Sequence, residues 1–348
     1  MPLPLVACLV AFATTYLLTP LVRRLAVRVG AVTRPAARSV HTTPTPHLGG
    51  LAIYASFAVT LLLIGELPRS ETVRILACGL LALGLGTLDD FRDLSPRTKL
   101  LGQVLVASLL VGLGVRIHFI TNPFGDLIYL GSWSYPLSVL WVVAVMNVVN
   151  LADGLDGLAA GICAIAAIAA LFASARVGLL PEVTILAAAL AGSTVGFLPH
   201  NFNPAKIFMG DAGAMFLGFT LAAISIHGAL KQTTAVALLV PIVALGLPIT
   251  DTALAIYRRL RAGRSVGQAD RGHLHHRLLD LGLTQRQAVL VMWGVTAWLG
   301  LSAVLLSEVS GGLGFVLVMS LGLIGLLAFV SAVGAGSLPR EQGKNLPE

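Results

Sequence analysis

Charge is scarce in this chain, and so is cysteine. Asp, Glu, Lys and Arg make up 11% of the 348 residues against a hydrophobic share of 56%, and the mean hydropathy is +0.89. Soluble domains carry about 25% charged residues, so a water-soluble globule is excluded and an integral membrane protein is indicated. Cys8, Cys78 and Cys163 all fall inside apolar runs. They read as small buried hydrophobes, which excludes a disulfide framework. LVAC at 5–8 faintly suggests a lipoprotein cleavage site, yet no Lys or Arg precedes it, so a retained first span is expected. No internal repeat of the transporter kind is visible by eye.

What the chain has instead is apolar length. A spanning helix needs roughly 20 apolar residues. Eleven such runs occur, at about 2–22, 48–65, 72–88, 99–115, 135–152, 157–175, 182–198, 208–228, 234–256, 287–306 and 311–333. They are continuous rather than alternating, which selects helices over a β-barrel. The expectation is an all-α polytopic membrane protein of about 11 transmembrane helices, one domain over 1–334 with a short tail at 335–348. Connections after odd-numbered spans, with the tail, hold 18 of the 23 Lys and Arg residues; Arg69, Arg74, Arg116, Arg176 and Lys231 are the exceptions. The positive-inside rule then puts the odd loops and the C-terminus in the cytoplasm and the N-terminus outside. Basic loops facing an anionic leaflet account for the pI near 9.8, so no nucleic acid is needed to explain it.

Dense polar clusters gather in connections of one parity, at 23–47, 89–98, 150–157, 199–211 and 257–286. Asp89, Asp90, Asp153, Asp156 and Asp211 lie at the ends of four spans, where antiparallel packing brings them together. An ionised group in a bilayer costs about 2.5–3.5 kcal/mol or more, and clustered carboxylates repel, so cations are required. Lys, Arg and His supply some of that charge. The oxygen-rich set also suits a hard divalent ion such as Mg²⁺, which takes one or two carboxylates plus substrate phosphates.

The stretch NVVNLADGLDGL places Asn147, Asn150, Asp153 and Asp156 three residues apart, a step that leans each residue about 60° around a helix from the last. Gly154 and Gly157 loosen the backbone, so the last turn opens and presents Asn150, Asp153 and Asp156 as a polar wall. A hydrogen-bonded seam between helices competes with that reading, evenly so for Asn147. Adjacent Asp89 and Asp90 do not share a helical face and would serve one site only at a frayed end. FMGDAG around Asp211 reads as a close-approach turn at a helix start, where free N–H groups receive phosphate. Phe208, three residues earlier, is placed to stack on a base. HLHH, with His273, His275 and His276, favours anion binding beside Arg271 and Arg277 over zinc.

HTTPTPHLGG, LDDFRDLSPRTKLLGQ, NVVNLADGLDGLAAG, NPAKIFMGDAGAMFLG and DRGHLHHRLL, in that order over residues 41–279, resemble the polyprenyl-phosphate N-acetylhexosamine-1-phosphate transferases of bacterial envelope synthesis. The resemblance implies transfer of a sugar 1-phosphate from a UDP-sugar to a polyprenyl phosphate, releasing UMP, with Mg²⁺ as cofactor and Mn²⁺ as its substitute. It implies Asp211, with Asn150, as metal ligands, and Asp89, Asp90 and Asp156 as catalytic carboxylates. Asn150, Asp153, Phe208, Lys99, His273, His275, His276 and Arg277 are implied to bind substrate. The HxHH form resembles the N-acetylglucosamine branch, so UDP-GlcNAc is the expected donor, at the cytoplasmic face of the inner membrane. A UDP-MurNAc-pentapeptide donor is the alternative within the chemistry. A transporter is the rival outside it, and a nonenzymatic scaffold is a third reading. The implied partners are donor, lipid acceptor and membrane, with a homodimer allowed. His47 stands where an Arg often follows PTP and carries little weight.

Overall fold

The computed structural model describes residues 3–33, 44–121, 127–177, 181–231, 242–261, 263, 272–308 and 312–336. The expected tail at 335–348 lies almost wholly outside these residues, as do 34–43 of the first polar connection and Arg271 of the fifth.

Every apolar run yields a helix. They are α1 (Leu3–Arg28), α2 (Gly49–Ile64), α3 (Arg69–Arg92), α4 (Pro96–Gly112), α5 (Ser134–Ala152), α6 (Leu158–Val177), α7 (Pro181–Asn201) and α8 (Gly210–Lys231). There follow α9 (Gly246–Arg261), the short α10 (Leu274–Asp280), α11 (Gln285–Glu308) and α12 (Gly312–Gly336). Eight of them are long and apolar enough to cross a membrane, and the chain is a multi-pass membrane protein. The other three expected spans carry shorter helices among the described residues. At 16 residues, α2 rises about 24 Å against a hydrocarbon core of roughly 30 Å, because the chain before it is drawn into a hairpin. The described α4 has 17 residues and α9 has 16.

Two small hairpins interrupt the all-α expectation. Strand β1 (Val32–Thr33) pairs antiparallel with β2 (Thr45–Pro46), and β3 (Phe119–Thr121) with β4 (Leu127–Tyr129). The first closes the polar connection between α1 and α2 and hands the chain to the site: Phe208 donates its amide to the Pro46 carbonyl at 2.9 Å, and Gly49 donates to the Phe208 carbonyl at 2.9 Å.

The most buried helices are α6, α7 and α8, while α1 and α12 turn most of their surface outward. The start of α8 is the hub, packed by α2, α3 and α5. Small residues make that approach possible: a Cβ on Gly50 would strike the backbone of Gly213, and one on Gly86 would strike the carbonyl of Asp211. From α3 to α8, helices of odd number end, and those of even number begin, around one polar floor, and α11 begins beside it at Gln285. Free cysteines inside α1, α3 and α6 fit the sequence reading.

Candidate active site

The floor is assembled from helix ends. The last turn of α3 carries Asp89 and Asp90, and neither requires fraying, because the site wraps around that end. Asp89 faces α4: its Oδ2 lies 2.6 Å from Lys99 Nζ, and its Oδ1 accepts the Leu94 amide at 2.8 Å. Asp90, about 100° further round the helix, faces α8 instead. Its two oxygens accept the amides of Asp211 at 2.8 Å and Ala212 at 3.1 Å, so it caps the start of α8 from another helix, where the dipole favours an anion. Gly210 leaves room for it, since a Cβ there would sit 2.5 Å from Asp90 Oδ2.

Lys99 is the central cation. Besides Asp89 it donates to Asn150 Oδ1 at 2.9 Å and to Asp211 Oδ2 at 3.1 Å, while Asn150 Nδ2 donates to Asp211 Oδ1. Three polar groups, from α3, α5 and α8, thus meet at one ammonium from α4. Beside them opens a cleft of about 270 Å³, lined by Thr33, His47, Asp90, Asn150, Asp153, Gly154, Leu155, Asp156, Asn201, Phe208, Gly210 and Asp211. That is near the small end for a small-molecule pocket. The Asp153 carboxyl, in the turn after α5, is pushed up to about 8 by burial and then by the charges of Asp211, Asp90 and Asp156.

The polar quartet divides its labour. Asn147 belongs to a seam, donating to Gln103 Oε1 at 2.7 Å and to the Val143 carbonyl at 2.8 Å. Asn150 joins Lys99 and Asp153 lines the cleft. Asp156 is buried; its Oδ2 accepts from Asn203 Nδ2 and the Ala205 amide, both at 3.0 Å, and so ties the loop after α7 to the turn before α6. Asn203 also donates to Gln285 Oε1 at 2.7 Å, carrying the tie to α11.

The histidines stand behind the cleft rather than among its lining residues. His273 and His275 are buried and stack with ring centroids 5.6 Å apart and planes 10° apart; His276 lies 4.3 Å from His275. The His275 ring backs the cleft wall, since a Cβ on Gly154 would lie 2.6 Å from its Nε2. Burial and the neighbouring His276 push that imidazole down to about 4, so it is neutral at pH 7. Arg277 Nε donates to the Gly272 carbonyl at 3.2 Å.

Sequence reasoning gave no role to Asn201 and little to His47, yet both line the cleft. Asn201 Oδ1 and His47 Nε2 are buried and meet no hydrogen-bond partner among the described residues. For Asn201 the available signal was a polar side chain in HNFNPAK at a span end; for His47 it was the position just before LGG.

A family profile described as "Glycosyl transferase family 4" matches residues 72–229. Over 306 residues the chain is 38% identical to the "Probable undecaprenyl-phosphate N-acetylglucosaminyl 1-phosphate transferase" of Bacillus subtilis, covering 87% of this chain and 85% of that one. It is 39% identical over 325 residues to the "Decaprenyl-phosphate N-acetylglucosaminephosphotransferase" of Mycobacterium tuberculosis, covering 85% and 80%. The "Undecaprenyl-phosphate alpha-N-acetylglucosaminyl 1-phosphate transferase" of Escherichia coli K12 is 29% identical over 292 residues, covering 81% and 78%.

Proposed function

The chain belongs to glycosyl transferase family 4, and from that premise we propose how its polar floor carries out the transfer. It moves N-acetylglucosamine-1-phosphate onto a polyprenyl phosphate, an initiating step of cell-envelope polysaccharide synthesis. The donor is UDP-GlcNAc and the by-product UMP. In bond terms, an oxygen of the lipid phosphate attacks the sugar-bearing phosphorus, and the bond from that phosphorus to the bridging oxygen of the UMP moiety breaks.

One observation carries the reading: Lys99 gathers Asp89, Asn150 and Asp211 beside a cleft that Asp153, Asp156 and Phe208 line. Phosphoryl transfer asks for neutralised charge and aligned oxygens more than for covalent chemistry by protein. The donor set fits Mg²⁺. Among the described residues no group of three His, Cys, Asp or Glu forms a metal cage, so substrate phosphates and water would have to complete the ion's shell. Asp211 and Asn150, whose oxygens also accept from Lys99, would hold it at the edge of the cleft. When bound, the ion neutralises the diphosphate and orients its oxygens.

The chain's own groups do the rest. Asp90 fixes the start of α8, and with it the place of Asp211. Asp89, oriented by Lys99 and the Leu94 amide, positions the lipid phosphate or takes its last proton. Both oxygens of Asp90 are held by the amides of Asp211 and Ala212, which disfavours it as a covalent nucleophile; the attack is assigned to the lipid phosphate itself. Phe208 offers its ring to uracil. The floor faces the cytoplasm, where UDP-sugars are, with eleven crossings, the N-terminus outside and the C-terminus inside.

The deciding assay supplies purified protein with polyprenyl phosphate, Mg²⁺ and a panel of UDP-sugars. UMP release with UDP-GlcNAc, abolished by EDTA, is the expected result. Release with UDP-MurNAc-pentapeptide alone would reassign the donor, and none with any donor would overturn the reading.

A further inference from the structure

Asp251 has no part in the polar floor, yet it is among the most constrained carboxylates in the chain. It sits on α9 and is only 6% exposed. One oxygen, Oδ2, lies 3.0 Å from His273 Nδ1; the other, Oδ1, accepts the Leu274 amide at 2.9 Å. The second contact stands in for a missing cap, because His273 at the start of α10 makes no side-chain cap of its own. An ionised carboxylate only accepts hydrogen bonds. His273 therefore carries its proton on Nδ1, and in the neutral ring Nε2 is the bare acceptor.

The clamp reaches the cleft through packing. His273, itself 7% exposed, lies parallel to and offset from the His275 ring, and His275 closes on the backbone at Gly154. Interiors are close-packed, so a shift of α10 moves the His275 ring and the turn between Asp153 and Asp156 with it. Arg258 and Arg259 of α9 lie near this junction: Arg259 is buried, and a Cβ on Gly272 would sit 2.7 Å from Arg258 Nε.

We propose that Asp251 is a positioning residue for the transfer, setting the tautomer of His273 and, through the His273 and His275 stack, the Gly154 wall of the cleft. The proposal rests on the transferase reading of that cleft. A carboxylate on one nitrogen of an imidazole fixes its ring and tautomer, and where the imidazole holds a metal, removing such a partner typically costs roughly 10- to 100-fold, the scale taken for this clamp.

Two measurements test it. In steady-state UMP release, Asp251→Asn lowers kcat by about 10- to 100-fold, with the KM for UDP-GlcNAc little changed. Asp251→Glu restores much of the loss, and Asp251→Asn combined with His273→Gln is no slower than His273→Gln alone, the non-additivity of residues acting as a unit. Losses that multiply, or an unchanged kcat in Asp251→Asn, overturn the proposal. Should Asp251→Asn fail to fold, the wild type still decides: ¹⁵N spectra of histidine-labelled protein, assigned by the signal lost in His273→Gln, must show His273 protonated at Nδ1. The opposite tautomer overturns the proposal. Wild type that releases no UMP would instead sink the transferase reading, and the tautomer would still be measurable.

Discussion

At the residue scale, chemistry and architecture share the same carboxylates, and geometry separates their jobs. Asp89 and Asp211 meet at the Lys99 ammonium, so Asp89→Asn and Asp211→Asn should each slow UMP release by about 10²- to 10⁴-fold while the protein still inserts. A scaffold would tolerate both changes. His275 gives a pH prediction of definite sign. Its folded value of about 4 lies below the ordinary value near 6.5, so between those pH values the unfolded chain binds a proton that the folded chain refuses. The stability linked to it is complete above about 6.5 and is lost as pH falls through 4. Thermal melting in detergent should therefore fall between pH 7 and 4.5, and His275→Gln should flatten that slope. An unchanged slope in the variant would place the titration elsewhere. Sequence made Asp89, Asp153 and Asp211 visible because carboxylates at span ends are costly. It could not separate Asn147 from Asn150, since both are amides three residues apart and only the partner helices differ.

At the element scale, the site depends on how closely three helix ends approach the start of α8. Gly50 and Gly86 permit that contact by having no side chain, and the obstacle a Cβ would meet is backbone, which cannot rotate away. Overpacking typically costs about 1–3 kcal/mol. Gly50→Ala should reach at least that, read as a lower melting temperature together with loss of UMP release, since α2 and α8 must part. A variant that melts and works like wild type would show the approach to be looser than drawn. The paired glycines were legible as a turn, but their partner at Gly213 was not, because the two lie far apart in the chain. The β1–β2 hairpin escaped prediction for a related reason: two residues per strand leave no periodicity to read, and pairing alone defines them.

For the molecule as a whole, the one-sided floor and the distribution of Lys and Arg must agree about the membrane. In a background without Cys8, Cys78 and Cys163, Arg116→Cys should react with an impermeant maleimide on intact cells. Arg97→Cys, near the floor, should react only after permeabilisation. Reversed labelling would turn the protein over and remove the floor from the compartment that holds UDP-sugars. By itself the sequence determined the environment, the helices and the ends at which chemistry gathers, because hydropathy and the cost of buried charge act on each segment locally. It also carried the family in five ordered motifs. Tertiary structure alone decided that Lys99 is the shared counter-ion, that Asp90 caps α8, that Asp156 ties a loop and that Asp251 grips a histidine. Each of those roles is a hydrogen bond between groups distant in the chain, and a linear pattern holds no record of the direction in which a side chain finds its partner.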